Sequence, residues 1–229
     1  MEDKNLEKKP GFHLIDTENW PRKSHYEYFT RQIKCGYSLT APLDVTELLR
    51  FLGRKGLRFY PSFLYLTSRA VNAAVEFRMA LDERGRPGYW DVVHPVHTIF
   101  HQDDKTFSDI WTYYDPDFSA FYKNLERDLD AYKDIKGIKT KPGQPRNFFC
   151  VSCTPWLSYT GYSTGIPGGD PNLFPIIAFG KFTENRGRYT LPLTVTIAHA
   201  AADGYHVNRF FLELQEALDH PEKTVGPVK

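Results

Sequence analysis

The residues best placed to do chemistry lie in the segment Thr194-Val-Thr-Ile-Ala-His199-Ala-Ala-Ala-Asp203-Gly204-Tyr-His206. A β-branched run ends at His199, three alanines follow, and Asp203-Gly204 opens an amphipathic stretch. A histidine where a strand gives way to a helix is held rigidly yet can reach a cleft. An imidazole, which exchanges protons near neutral pH, suits a general base. Asp203 fits the cap of the helix, and Gly204 permits an unusual backbone or close packing. A lone histidine at a strand end is still more often structural or exposed than catalytic, so the surrounding elements matter.

The helix after Asp203 carries Val207, Phe210, Phe211, Leu214 and Leu218 at i, i+3, i+4, i+7 and i+11, a stripe that must face a core. Upstream, Phe174–Phe182 and Tyr189–His199 read as a long hairpin turning at Glu184–Gly187. Phe148–Cys153 is a further β run. Residues 161–171 hold four Gly and two Pro and read as a loop. Nearer the start, Phe12–Ile15 reads as a short strand, and a helix capped at Asn19 runs to about Ile33. Cys35–Ala41 alternates like a strand. Asp44-Val-Thr-Glu47 resembles a capping box before Leu48, Leu49, Phe51 and Leu52. The next helix runs from Pro61 to about Val75 with a wide apolar stripe, and another from Asp117 to Tyr132. Phe77–Leu81, Tyr89–Val93 and Thr98–His101 read as strands.

Strands and helices intersperse along all 229 residues without a linker or internal repeat. The expectation is one domain over residues 12–220, with loose tails at 1–11 and 221–229. Lys+Arg (29) and Asp+Glu (28) give a net charge of +1, which supplies no pull toward nucleic acid or an anionic membrane. No stretch approaches the roughly 18 apolar residues of a membrane span, and residues 1–10 lack the apolar core of a signal peptide. Three cysteines, Cys35, Cys150 and Cys153, cannot all pair within the chain, so a reducing, cytoplasmic location is expected. Cys150 and Cys153 have redox-pair spacing, but on a strand their side chains face opposite ways. His94, His97 and His101 tempt a zinc reading, yet no cysteine or carboxylate pattern completes a site, and no metal is expected. The glycines at 165, 168 and 169 lack the Lys-Ser/Thr of a phosphate loop.

The pattern His199-x-x-x-Asp203-Gly204 resembles the chloramphenicol acetyltransferase family, and more distantly dihydrolipoamide acyltransferase domains and peptide-synthetase condensation domains. The resemblance runs in order through Asn19-Trp20-Pro-Arg22, Arg58-Phe59-Tyr60-Pro61, Glu76-Phe77-Arg78-Met79-Ala80 and Trp90-Asp91-Val-Val-His94-Pro95. It continues through Thr98-Ile-Phe100-His101, Thr106-Phe107-Ser108, Thr154-Pro155-Trp156 and Asp203-Gly204-Tyr205-His206-Val207. It implies an α/β two-layer sandwich, with a mixed, mostly antiparallel sheet covered by helices. It also implies direct acetyl transfer from acetyl-CoA to a hydroxyl of chloramphenicol. By the same resemblance His199 is the base and Ser152 steadies the oxyanion, while Asp203 pairs with Arg22 to support the site. Arg58, Tyr60, Trp156 and Lys181 match coenzyme A contacts. Tyr28, Phe29, Cys35, Tyr37, Phe107 and Tyr162 match the acceptor pocket. A homotrimer with active sites between subunits is implied as well.

The sequence departs from the family pattern at several places. Ala178 stands where relatives often carry a threonine, Cys150 where an asparagine is usual, and residues 161–171 differ throughout. These departures leave three functions open: chloramphenicol resistance, a related acyltransferase with another hydroxylated acceptor, or a non-catalytic acyl-CoA-binding protein. The intact set His199, Asp203, Arg22 and Ser152 favours an enzyme.

Overall fold

The computed structural model describes residues 11–165 and 172–226. The expected tail at 1–11 lies outside that range except for Gly11, as do six residues of the expected loop at 161–171 and the last three of the tail at 221–229.

In chain order the elements begin β1 (Phe12–Leu14), α1 (Lys23–Arg31), β2 (Gly36–Asp44), α2 (Thr46–Lys55) and α3 (Phe59–Ala73). A 3-10 turn (Val75–Arg78) leads to β3 (Met79–Leu81), β4 (Pro87–Trp90), β5 (His94–Phe100) and β6 (Phe107–Trp111). Then come α4 (Phe118–Tyr132), β7 (Phe148–Thr154), β8 (Ile176–Gly180), β9 (Thr183–Asn185), β10 (Arg188–Ala198), α5 (Gly204–Asp219) and α6 (Pro221–Val225). The main sheet has the order β2-β10-β8-β7-β5-β6, with β9 paired to β10. Only β5/β7 and β7/β8 are parallel, so the sheet is mixed and mostly antiparallel, as the resemblance implies. A separate three-stranded sheet has the order β1-β4-β3.

Alternation decides which face of the main sheet is buried. Leu191, Leu193, Val195 and Ile197 of β10, Ile177 and Phe179 of β8, and Phe149 and Val151 of β7 join one core with α2, α3, α4, α5 and α6. The stripe expected on α5 is buried throughout. The opposite face carries Ser38, Thr40, Cys150, Ser152, Ala178, Thr194 and Thr196, and among the described residues the helices join the core on the other side. There the threonines pair across strands, Thr40 Oγ1 with Thr194 Oγ1 and Ser38 Oγ with Thr196 Oγ1, both at 2.7 Å.

Several elements depart from expectation for local reasons. Asp16 accepts from Glu18 N and from the Asn19 side chain, so a turn precedes α1, which starts at Lys23 rather than just after Asn19. Asp44 accepts from Thr46 N, but Glu47 reaches Arg50 instead of turning back, so no capping box forms there. Residues 221–225, expected as tail, form α6 with Pro221 and Val225 buried, so the packed domain extends past 220. The β9–β10 turn is two residues long with φ of 52° at Arg186 and 79° at Gly187, the left-handed pair that a tight hairpin demands.

A buried polar chain crosses the core beneath the sheet. Lys141 Nζ sits 2.7 Å from Asp128, which accepts from Thr112 at 2.8 Å. Thr112 contacts His97 Nε2 at 3.2 Å, and His97 Nδ1 contacts the Tyr60 hydroxyl at 3.2 Å. Burial, with Lys141 behind it, pushes His97 down to about 3, and burial alone pushes His94 down to about 4. Among the described residues no group of three or more His, Cys, Asp or Glu could hold a metal ion, and no helix is long and apolar enough to cross a membrane.

Candidate active site

β10 ends at Ala198, and Ala200, Ala201 and Ala202 are buried in the tight turn that follows. Small residues are needed there because the chain folds back onto the core before α5 begins. This fixes the backbone of His199 between two partners: its N–H donates to Cys35 O at 3.0 Å, and its carbonyl accepts from Arg22 Nη2 at 3.3 Å. The ring stacks on Phe29, with centroids 3.9 Å apart and planes 7° apart, and Tyr37 packs beside it at 5.2 Å. His199 Nδ1 is buried with no hydrogen-bond partner, so Nε2 is the ring nitrogen left for chemistry.

Asp203 caps α5 by accepting from Tyr205 N, and it accepts from Arg22 Nη1 at 2.5 Å. Burial opposes the Asp203 carboxylate, yet the Arg22 hydrogen bond and His206 bring its pKa below the usual value. Burial, then the Asp203 charge, pushes the Tyr37 hydroxyl up to about 12. One end of the sheet therefore gathers Arg22, Phe29, Cys35, Tyr37, His199 and Asp203, and Tyr28 contacts Phe29 at 5.1 Å. All seven were expected at the site from the sequence.

The other expected residues lie elsewhere on the same chain. Ser152 is paired with Ala178, and Ala178 with Thr194, which puts all three in one row on the face opposite the core. His199 stands five residues beyond Thr194, about 16 Å along the strand and two strands away from Ser152. The two proposed catalytic side chains thus do not meet within one protomer. Phe107 is exposed near the β6 edge, and Trp156, 58% exposed, packs on Phe100 at 4.6 Å. Lys181 is exposed, with its N–H donating to Leu157 O. Tyr162 packs on Tyr159.

Two expected coenzyme A contacts are otherwise engaged. Arg58 pairs with Glu126 at 2.8 Å on the surface. Tyr60 turns its hydroxyl inward to His97, and burial raises its pKa. Tyr159 was missed by sequence reasoning. Its hydroxyl donates to Ala178 O at 2.9 Å and receives a bond from Thr194 Oγ1, beside Ser152. Gly180 makes that approach possible, since a Cβ there would sit 2.6 Å from Leu157 O and 2.9 Å from the Tyr159 ring. The every-second-residue threonines of Thr194-Val-Thr196 were the available signal for a polar face.

Burial raises the thiol of Cys150 to about 11 and that of Cys153 to about 12. Cys150 shares the Ser152 face, Cys153 packs toward the core, and all three cysteines are free.

The sequence model of the family described as "Chloramphenicol acetyltransferase" matches residues 11–215. The chain belongs to this family. It is therefore an acyltransferase. A Clostridium perfringens chloramphenicol acetyltransferase is 41% identical over 94% of this chain and 98% of that protein. A Campylobacter coli chloramphenicol acetyltransferase is 39% identical over 91% and 99%. A solved chloramphenicol acetyltransferase superposes with a TM-score of 0.80 at 26% identity, covering 91% of this chain and all of that one. A probable dihydrolipoamide acetyltransferase from Listeria monocytogenes shares the fold, with a TM-score of 0.62 at 12% identity over 90% and 93%. The fold built here is thus the family's.

Proposed function

We propose that the protein acetylates a hydroxyl of chloramphenicol with acetyl-CoA in the cytoplasm, conferring resistance. The observation that carries this reading is His199, locked by Phe29, Cys35 and Arg22 with only Nε2 available. Nε2 takes the proton of the acceptor hydroxyl as that oxygen attacks the thioester carbonyl. Ser152 Oγ donates to the resulting oxyanion, and one such donor is worth roughly 3 kcal/mol in an acyl-transfer transition state. Collapse breaks the C–S bond, and the departing thiolate recovers the proton from His199. No acyl-enzyme forms, so the gain comes from holding both substrates together.

His199 and Ser152 lie about 16 Å apart along the sheet, which supports a site shared between protomers. In a closed homotrimer, the His199 end of one copy meets the Ser152 face of the next. Tyr28, Phe29, Cys35, Tyr37, Phe107 and Tyr162 line the acceptor side, and Trp156 and Lys181 take the coenzyme. Arg58 joins them by exchanging Glu126 for phosphate, and Tyr60 contributes its ring alone. Ala178 leaves no side-chain hydroxyl beside Ser152 on β8, which favours a second reading with a different hydroxylated acceptor.

The test measures thiol release from acetyl-CoA with and without chloramphenicol, beside the mass of the assembly by light scattering. Release that needs both the drug and His199 is expected, from a trimer. A His199→Ala variant with full turnover would sink the mechanism. Coenzyme A binding to the trimer without release would move the assignment to another acceptor.

A further inference from the structure

The ion pair of Arg22 with Asp203 does not end at Asp203. His206, only 15% exposed, places Nδ1 2.8 Å from Asp203 Oδ1 on the side away from Arg22. Its Nε2 lies 3.5 Å from Glu76 Oε1, on the 3-10 turn before β3. Nδ1 thus faces both the Asp203 carboxylate and the Asp203 N–H, 3.3 Å away, which closes a capping box, while Nε2 faces the Glu76 carboxylate, which only accepts hydrogen bonds. A ring carrying its proton on Nδ1 donates to the Asp203 carboxylate, and one carrying it on Nε2 accepts from the Asp203 N–H and points its donor at Glu76, so either tautomer ties His206 to Asp203. The result is one line of contacts, Glu76–His206–Asp203–Arg22, ending on the carbonyl oxygen of His199. Its far end opens on a surface cleft of about 270 Å³ that is also lined by Arg209 and Glu213.

We infer that His206 is a positioning residue for His199, bracing Asp203 opposite Arg22, with Glu76 bracing His206 in turn. The inference rests on His199 being the base. Without His206, the Asp203 side chain keeps Arg22 on Oδ2 and only the 3.1 Å cap bond from Tyr205 N on Oδ1, which leaves it room to pivot. Held from both sides it cannot, and Arg22 then keeps its second contact with the His199 carbonyl. Glu76 and His206 both fall in segments that resemble the family, although the transfer step itself gives neither a task. Their linkage through Asp203 supplies one.

The experiment compares His206→Phe, which keeps the bulk, with His206→Asn, which keeps a short donor near the Nδ1 position. In the assembled protein, His206→Phe is expected to lower kcat about tenfold or more while leaving both KM values within about twofold. His206→Asn recovers most of the loss. Ring-nitrogen NMR of protein labelled at histidine gives a readout independent of the acceptor. The His199 signal, assigned from His199→Ala, shifts in His206→Phe and returns toward wild type in His206→Asn. Unchanged kcat and an unchanged His199 signal in His206→Phe overturn the inference. So does a loss shared equally by both variants and matched by a fall in Tm, which marks a helix cap alone. If His206→Phe is insoluble, Glu76→Gln is read the same way, and an unshifted His199 signal there overturns the inference. Wild-type protein that releases no thiol with chloramphenicol would overturn the acceptor assignment, and the NMR comparison would still decide the role of His206.

Discussion

Asp203 performs two tasks that substitution can separate. Asp203→Asn keeps an oxygen to cap α5 but removes the charge facing Arg22, a residue only 13% exposed. The expected result is a kcat lowered about tenfold with little change in KM, because the His199 carbonyl loses a fixed partner. Asp203→Ala removes the cap as well and is expected to cost about a further 1 kcal/mol of stability. Steady-state kinetics and thermal melts of the two variants separate these effects. Equal kcat in Asp203→Asn and wild type would show that the Arg22–Asp203 ion pair does not position His199. At this scale the sequence was most legible where the family resemblance named the partners of His199, whose N–H donates to Cys35 O and whose carbonyl accepts from Arg22. It was least legible for Tyr159, because a tyrosine that matters through its hydroxyl looks like any core aromatic until the strand beside it is placed.

Caps and faces explain which elements could be read in advance. Asp203 caps α5 as its position suggests, and Asp117, expected as the first residue of its helix, caps α4. Asp44 fails as a full box because Glu47 finds Arg50 within reach. β6 was not recognised because Phe107-Ser-Asp-Ile-Trp111 mixes its apolar and polar positions, with Asp109 half-buried on a strand face. Of the small sheet β1-β4-β3, the β3–β4 pair around the turn at residues 83–88 was legible, but not its pairing with β1, which is three residues long and far away in sequence. Helix α4 offers a control separate from chemistry. Asp117 accepts from Ala120 N at 2.8 Å, so Asp117→Ala is expected to cost about 1 kcal/mol. Urea unfolding should show the lower midpoint at unchanged m, and kcat should stay at the wild-type value. A fall in kcat would mean that α4 reaches the site.

For the whole molecule, His94 and His97 set an acid limit. Their folded pKa values, about 4 and about 3, lie below the ordinary 6.5 of the unfolded chain. Between these values the unfolded state binds protons that the folded state refuses, so stability is full above pH 6.5 and falls as pH drops below it. Each histidine contributes a slope of up to about 1.4 kcal/mol per pH unit in that window. Melting temperature should therefore fall from pH 6.5 toward pH 4, and His97→Phe should flatten the fall. A melting temperature independent of pH over that range would show that both rings charge freely.

The buried thiols bear on how long such a molecule stays intact. At pH 7 a thiol raised to about 11 is ionised in roughly one molecule in ten thousand, and one raised to about 12 in roughly one in a hundred thousand. Oxidants and disulfides attack the ionised form, so Cys150 and Cys153 are poor targets even though Cys150 shares a sheet face with Ser152. The thiol liberated at every turnover, once an oxidant has converted it to a disulfide, would otherwise exchange with ionised cysteines and leave mixed disulfides on these strands. Here the protein can stand in its own product, and in an oxidised cell, without clogging that face.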